Sequence, residues 1–378
     1  MRTRICDLLG IELPIVGFTP SPEVAAALSR AGGLGVLGAI RYTAVEELEE
    51  ALVWMDAHVD GKPYGLDIVM PAKHVGGDDL GALASMVDER HKQFVEELLT
   101  RFGVPPLPPD APAPAGITAW VHAKARGQIE AALRHPIKLL ANALGPPPVD
   151  VIQEAHAHGV LVAALAGKAE HARAHKQVGV DIVVAQGHEA GGHTGEVTTM
   201  VLVPEVVKAV EGLPVLAAGG IGTGQQVAAA LALGADGVWM GSVWLTSAEY
   251  QLEPAGAAGY SVVKEKLLAA TSSDTVRSRA ISGKPARMLR TPWTDAWEAP
   301  GSPGTLPMPL QGLLVAEAEA RIRFHQSRPL LGTPVGQIVG QMNTVEPVSA
   351  IVERLVREFR EAAERITASA SRAASPGS

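Results

Sequence analysis

What this 378-residue sequence lacks narrows its class before anything it contains. It has one cysteine, Cys6, so it can build neither an intrachain disulfide framework nor a thiolate metal site, and a reducing compartment suits it. It has no basic excess: 32 Lys and Arg against 40 Asp and Glu leave a formal charge of −8, which argues against nucleic acid or an anionic membrane as partner. No apolar h-region follows Met1, and no uninterrupted apolar stretch is long enough to span a bilayer. A cytoplasmic enzyme acting on a small molecule is the expectation.

What is present, 47% hydrophobic and 19% charged residues, suits a large α/β domain or two smaller ones. Short β-rich runs alternate with Ala-rich helical stretches, the pattern of βα units on a parallel sheet. Eight strands are expected: Leu13–Gly17, Gly35–Gly38, Tyr64–Val69, Lys138–Ala143, Leu161–Leu165, Asp181–Ala185, Pro214–Ala218 and Gly237–Gly241. Eight units favour a (β/α)8 TIM barrel, with a doubly wound open sheet as the alternative. The barrel is expected over residues 1–250, with an insertion after the third strand at about 71–119. That insertion reads as a helix, Met86–Phe102, followed by the Pro-rich run 104–109, and serves either as a lid or as a surface excursion. A helical extension over 251–367 is expected to pack on the barrel, ending in a helix at Val348–Thr367 and a frayed or disordered tail at 368–378.

The most informative segment runs from Pro214 to Ser242 and reads as strand, glycine turn, helix, strand, glycine turn. In such barrels the loops after the seventh and eighth strands commonly bind phosphate with backbone N–H groups and a helix N-terminus. Ala218, Gly219 and Gly220, together with Gly241 and Ser242, are therefore the candidate phosphate turns, and a plain tight turn is the competing reading. The spacing Gly220-Ile-Gly222-Thr-Gly224 does not give a dinucleotide fingerprint. A second constellation, Gln186-Gly-His-Glu-Ala-Gly-Gly-His-Thr-Gly195, follows the sixth strand. There Gly191 and Gly192 would carry the chain under a flat ligand and deliver His193 to the barrel mouth for proton transfer, with a structural role as the alternative. His188 would face the outer side of the loop. Zinc is disfavoured, because the two histidines lack an obvious third ligand, and no metal is expected.

Ala31-Gly-Gly-Leu-Gly35, the Gln186 to Gly195 segment, Ala217-Ala-Gly-Gly220 and Met240-Gly-Ser242 together resemble the motifs of the nitronate monooxygenase family, formerly called 2-nitropropane dioxygenase. That family includes FMN-dependent enoyl-(acyl carrier protein) reductases and NAD(P)H:quinone reductases on the same barrel. The resemblance implies one FMN per subunit at the barrel mouth. Its phosphate would lie on Gly219-Gly220 and Gly241-Ser242, Gln186 and Gly191 would line the ribityl chain and ring, and His193 would be catalytic. It also implies an oxidoreductase that converts alkyl nitronates with O2 to a carbonyl compound and nitrite. The alternatives are an NAD(P)H-dependent reductase of an enoyl thioester or quinone, or a flavin-binding module without activity. Asp67 stands where relatives often have Asn. The stretch Pro14-Ile-Val-Gly17-Phe-Thr-Pro-Ser21 departs from the family pattern, leaving Phe18 and Thr19 as candidate flavin contacts. Arg277, Lys284, Arg287 and Arg290 form a basic cluster that would accept a phosphate-bearing substrate or pair on the surface. Lys168 reads as the solvated first turn of a helix over Lys168–Val178. Gly336-Gln337 reads as a helix-packing segment, with packing near the site as the alternative.

Overall fold

The computed structural model describes residues 1–70, 83, 85–111, 122–253 and 259–374. Six strands open the chain: β1 (Ile15–Thr19), β2 (Leu34–Gly38), β3 (Tyr64–Ile68), β4 (Leu139–Asn142), β5 (Leu161–Ala166) and β6 (Ile182–Gln186). A two-residue strand, β7 (Gly192–His193), precedes β8 (Val215–Ala218) and β9 (Gly237–Met240). All but β7 are parallel and close into a barrel, with β9 pairing back onto β1, so the molecule is a (β/α)8 TIM barrel. Its strands are buried on both faces, which is why they read as continuous apolar runs rather than alternating ones.

Seven of the expected strands match the observed ones to within about a residue at each end. The first is displaced. Glu12 and Leu13 both donate N–H to Gly32 O, and Ile15 N–H bonds Leu13 O, so residues 12–14 form a turn and pairing with β2 begins at Val16. Phe18 and Thr19 consequently end the strand rather than opening the following loop. Local signals hold for the helices: Ser21 caps Pro22–Arg30 by accepting Val24 N–H, and Thr223 with Gln226 forms a capping box on Gly224–Ala232. Inside the barrel, Val16, Val36, Leu139, Val184 and Leu216 pack together, and Ile5, Cys6 and Leu9 of the helix Arg4–Leu9 extend this core.

Beyond the barrel, the insertion and the extension form one cap with its own apolar core. Within the insertion the helix is Glu89–Arg101, starting later than expected because Asp88 caps it by accepting His91 N–H. Its Val95, Leu98 and Leu99 pack with Val263, Leu267, Trp293, Trp297, Val315 and Ile322 of the extension. Arg321 ties the two together, donating to Pro105 O, Val104 O and the Glu96 carboxylate, so the Pro-rich run is anchored where it begins. The extension adds an antiparallel hairpin, β10 (Thr275–Ser278) and β11 (Ala286–Leu289), that the basic-cluster reading of this stretch did not foresee. Its final helix is Val348–Ala374, longer than the expected Val348–Thr367 and reaching into the stretch read as frayed. The Ala-rich continuation favours helix over fraying, and residues 375–378 lie outside the described ones. Val348, Ile351, Val352 and Leu355 of this helix pack into the barrel's outer core.

Candidate functional site

The carboxyl ends of the strands open into a cavity of about 370 Å³ beneath the cap. Phe18, Asp67, Gln186, Gly191, Gly192, His193, Ala218, Gly219, Gly220, Gly241 and Ser242 all line it. Thr19, the remaining expected contact, does not. Its side chain is buried and accepts Ser21 N–H at 3.1 Å, so it shapes the turn into the next helix. Phe18 stacks on Trp239 with ring centroids 6.4 Å apart and forms part of the cavity wall.

The two glycine turns differ in what they demand. Gly219 and Gly220 have φ of +106° and +69°, which L side chains rarely adopt, whereas Gly241 has φ −114° and space for a Cβ, the nearest atom being Phe18 Cδ1 at 3.7 Å. Thr199 braces the first turn: its N–H and hydroxyl meet the Glu189 carboxylate at 2.9 Å, and its Oγ1 lies 3.0 Å from Gly219 O. Ser242 Oγ, on the second turn, accepts Gly336 N–H at 2.8 Å and keeps its own proton to donate. At the start of the helix that follows the first turn, the chain's own side chains take N–H groups. Gly222 and Thr223 N–H are taken by Gln226 Oε1, and Gly224 N–H by the Glu358 carboxylate at 2.8 Å, so the start of Gly224–Ala232 is already satisfied by the chain itself.

His193 is delivered by an unusual backbone rather than a flexible one, with Gly192 at φ +76°. Gly192 and His193 form β7, which pairs antiparallel with Arg287 and Ala286 of β11, so the extension fixes the histidine backbone. His193 Nε2 lies 2.7 Å from Ser282 Oγ in the hairpin turn, and Ser282 in turn accepts Lys284 N–H at 3.3 Å. Burial in the cavity, reinforced by the nearby Lys284 ammonium, pulls the imidazolium down to about 4, so the ring is neutral near pH 7. Asp67, at the end of β3, is also buried, and desolvation pushes its carboxyl well above the ordinary carboxylate range. A protonated carboxyl presents one donor and one acceptor in a plane, as a carboxamide does, which makes Asp a workable replacement for Asn here. His188 is outside the lining, with Nδ1 3.3 Å from Gly195 O. No group of three or more metal-ligating side chains occurs among the described residues.

The basic cluster comes apart in the structure. Arg287 is buried and donates to His188 O at 3.0 Å and Thr275 Oγ1 at 3.1 Å, and Arg277 donates to Thr194 O at 2.9 Å, so both clamp the His193 loop. Arg290 is exposed, 3.8 Å from Asp295. Lys168 is the exposed residue before Ala169–Gln177. Gly336-Gln337 does not serve helix packing: Gln337 N–H bonds Glu189 O at 2.9 Å, and the flanking Pro334 and Ile338 line the cavity. Sequence reasoning missed Ser282 and the apolar wall of Ile281, Met288 and Ile338. The available signal was the turn Ser282-Gly283-Lys284-Pro285 between two short strand-forming runs.

The nitronate monooxygenase family model matches residues 2–358. A protein of Mycobacterium tuberculosis, provisionally named a monooxygenase, is 50% identical over 372 residues, covering 95% of this chain and 96% of its own. A Rhodococcus jostii protein, named as a dehydrogenase of (3aS,4S,5R,7aS)-5-hydroxy-7a-methyl-1-oxo-octahydro-1H-indene-4-carboxyl-CoA, is 31% identical over 85% of this chain and 72% of its own. Among solved structures, nitroalkane oxidase from Streptomyces ansochromogenes superposes with a TM-score of 0.77 at 27% identity, covering 96% of this chain and 99% of that one. No helix among the described residues is long and apolar enough to cross a membrane.

Proposed function

The chain belongs to the nitronate monooxygenase family and is an oxidoreductase, and from that premise we propose that it binds FMN and oxidises alkyl nitronates with O2 to a carbonyl compound and nitrite. The observation that carries the proposal is the meeting, in one cavity, of two glycine turns and a buried neutral histidine. The residues present fit the flavin. Gly219-Gly220 and Gly241-Ser242 would hold its phosphate: both turns line the cavity, a Cβ on Gly241 would take up open space beside Phe18, and Ser242 has a proton to give a phosphate oxygen. Gln186, Gly191 and Asp67, whose charged form burial disfavours, would face its ring system.

FMN, when bound, supplies the one-electron oxidation of the substrate and its own reoxidation by O2. The net reaction balances as two nitronates and one O2 giving two carbonyl compounds and two nitrites. The protein's part is positioning and proton control. Neutral His193 takes the α-proton of a nitroalkane or orients a nitronate oxygen, and β7, held by β11, keeps the ring from swinging away.

A reductase reading, with NAD(P)H and an enoyl thioester or quinone, draws support from the thioester named for the Rhodococcus jostii relative. Anaerobic mixing separates the two: bleaching of the bound flavin by nitronate and not by NADH or NADPH is expected, and the reverse would replace the nitronate reading with the reductase one.

A further inference from the structure

We infer that the cavity admits its substrate by an apolar, uncharged carbon skeleton, and selects against a nitronate that carries a second negative charge on its tail. The inference rests on the nitronate reading for the reacting head, while the tail is argued from the wall around it. Ile281 and Met288 of the hairpin, Pro334 and Ile338 of the late segment, and Leu245 and Val69 of the barrel give the lining its apolar face. Among the described residues that line the cavity there is no Lys or Arg, and the two ionisable ones are Asp67 and His193. Burial disfavours the charged form of both, so neither offers a counter-charge near pH 7.

Among the described residues, the two nearest arginines are engaged elsewhere and the nearest lysine points to solvent. Arg287 donates to His188 O and Thr275 Oγ1, Arg277 donates to Thr194 O and lies 3.8 Å from the Glu196 carboxylate, and the Lys284 side chain is exposed at the hairpin turn, outside the lining. The wall is also fixed in place. Met288 bridges to Pro334, Leu289 N–H bonds Thr333 O at 3.0 Å, and Gly336 N–H bonds Ser242 Oγ at 2.8 Å. A carboxylate tail would therefore leave water for a lining that, among the described residues, offers hydroxyl and amide donors but no cation, which is unfavourable. A methylene chain would gain on the same surface, by roughly fourfold in affinity for each CH₂ buried.

The test uses the FMN-loaded full-length protein, with kcat/KM measured for C3 to C8 alkyl nitronates and for propionate-3-nitronate. The expected result is a rise with chain length up to the size of the cavity, with propionate-3-nitronate at least about 100-fold below the alkyl nitronate of matched length. Parity, or a preference for the carboxylate, would overturn the inference. Ile281→Lys, at a half-buried position, should shrink the carboxylate penalty at least tenfold, and an unchanged penalty in a folded variant would also overturn it. If no nitronate is oxidised, the nitronate reading fails separately. The tail preference is then read from calorimetric titration of the same protein with octanamide and octanoate at pH 8, where the amide should bind at least tenfold tighter and equal binding would contradict it.

Discussion

Two glycine-rich stretches of this chain look alike on paper and behave differently in the fold. In Ala217-Ala-Gly-Gly220 the glycines do what a local reading says: both take positive φ and the chain turns at the end of β8. In Glu189-Ala-Gly-Gly-His193 the same residue type suggests looseness, yet its last two residues, Gly192 and His193, form a strand paired with β11, and His193 is bonded to a serine 89 positions later. A turn is encoded by residues next to one another, whereas the placement of His193 is encoded by a hairpin in another part of the chain. Local chemistry in the sequence therefore identifies the turn after β8 by itself, and identifies the histidine without identifying what holds it.

Breaking the second region should have the largest effect. His193→Asn should lower kcat/KM on neutral nitroalkanes by ~10²–10⁴ while FMN is retained, and pre-formed nitronates should recover much of that loss if the histidine acts only as a base. Retained activity on nitroalkanes would remove His193 from the chemistry. In the enzyme with His193, the acid limb of kcat/KM should fall near pH 4. The same group lowers stability on acidification: its folded value is depressed, so the contribution is complete above its ordinary 6.5 and is lost as pH falls from there through about 4. Flatter acid unfolding of His193→Asn over that window would be the corresponding observation.

The first region is sharpened by comparing three glycines. Gly220→Ala should cost ~1–3 kcal/mol of stability through its positive φ and also weaken FMN. Gly234→Ala, at φ +98° beyond a helix end, should cost stability alone. Gly241→Ala is the cleanest probe because its backbone is unstrained: flavin affinity should fall at least about tenfold, ~1.4 kcal/mol, with little change in the melting temperature. Equal flavin loss at Gly234 and Gly241 would dissolve the distinction between cradle and helix end.

Arg287→Met leaves His188 O without its donor, so a loss of ~1–3 kcal/mol in denaturant unfolding is expected, together with reduced activity as β7 loosens. Ser282→Ala should be milder, lowering kcat by about two- to tenfold, the range of one net hydrogen bond, with Ser282→Thr restoring part of it. The smallest effect belongs to His188→Asn, which should change the rate by less than about tenfold. A large loss there with a normal His193→Asn would exchange the roles of the two histidines.

The barrel was legible because each βα unit carries its own signals: apolar runs, Ser21 and Thr223 as caps, glycine at helix ends. β1 was misplaced by two residues because the turn at 12–14 is set by Gly32 O, a partner from the next unit. Arg277 and Arg287 read as a surface cluster because each has a backbone carbonyl of the 188–194 loop among its acceptors, which leaves no mark in a sequence. Glu358 on Gly224 N–H was equally invisible, being a contact across 134 positions.

The central claim is the flavin, and releasing it tests that most directly. Heat or acid denaturation of the purified protein should free a yellow compound that co-elutes with FMN on reversed-phase chromatography, at about one per chain. FAD in that fraction, or protein that neither carries nor takes up any flavin, would contradict the account.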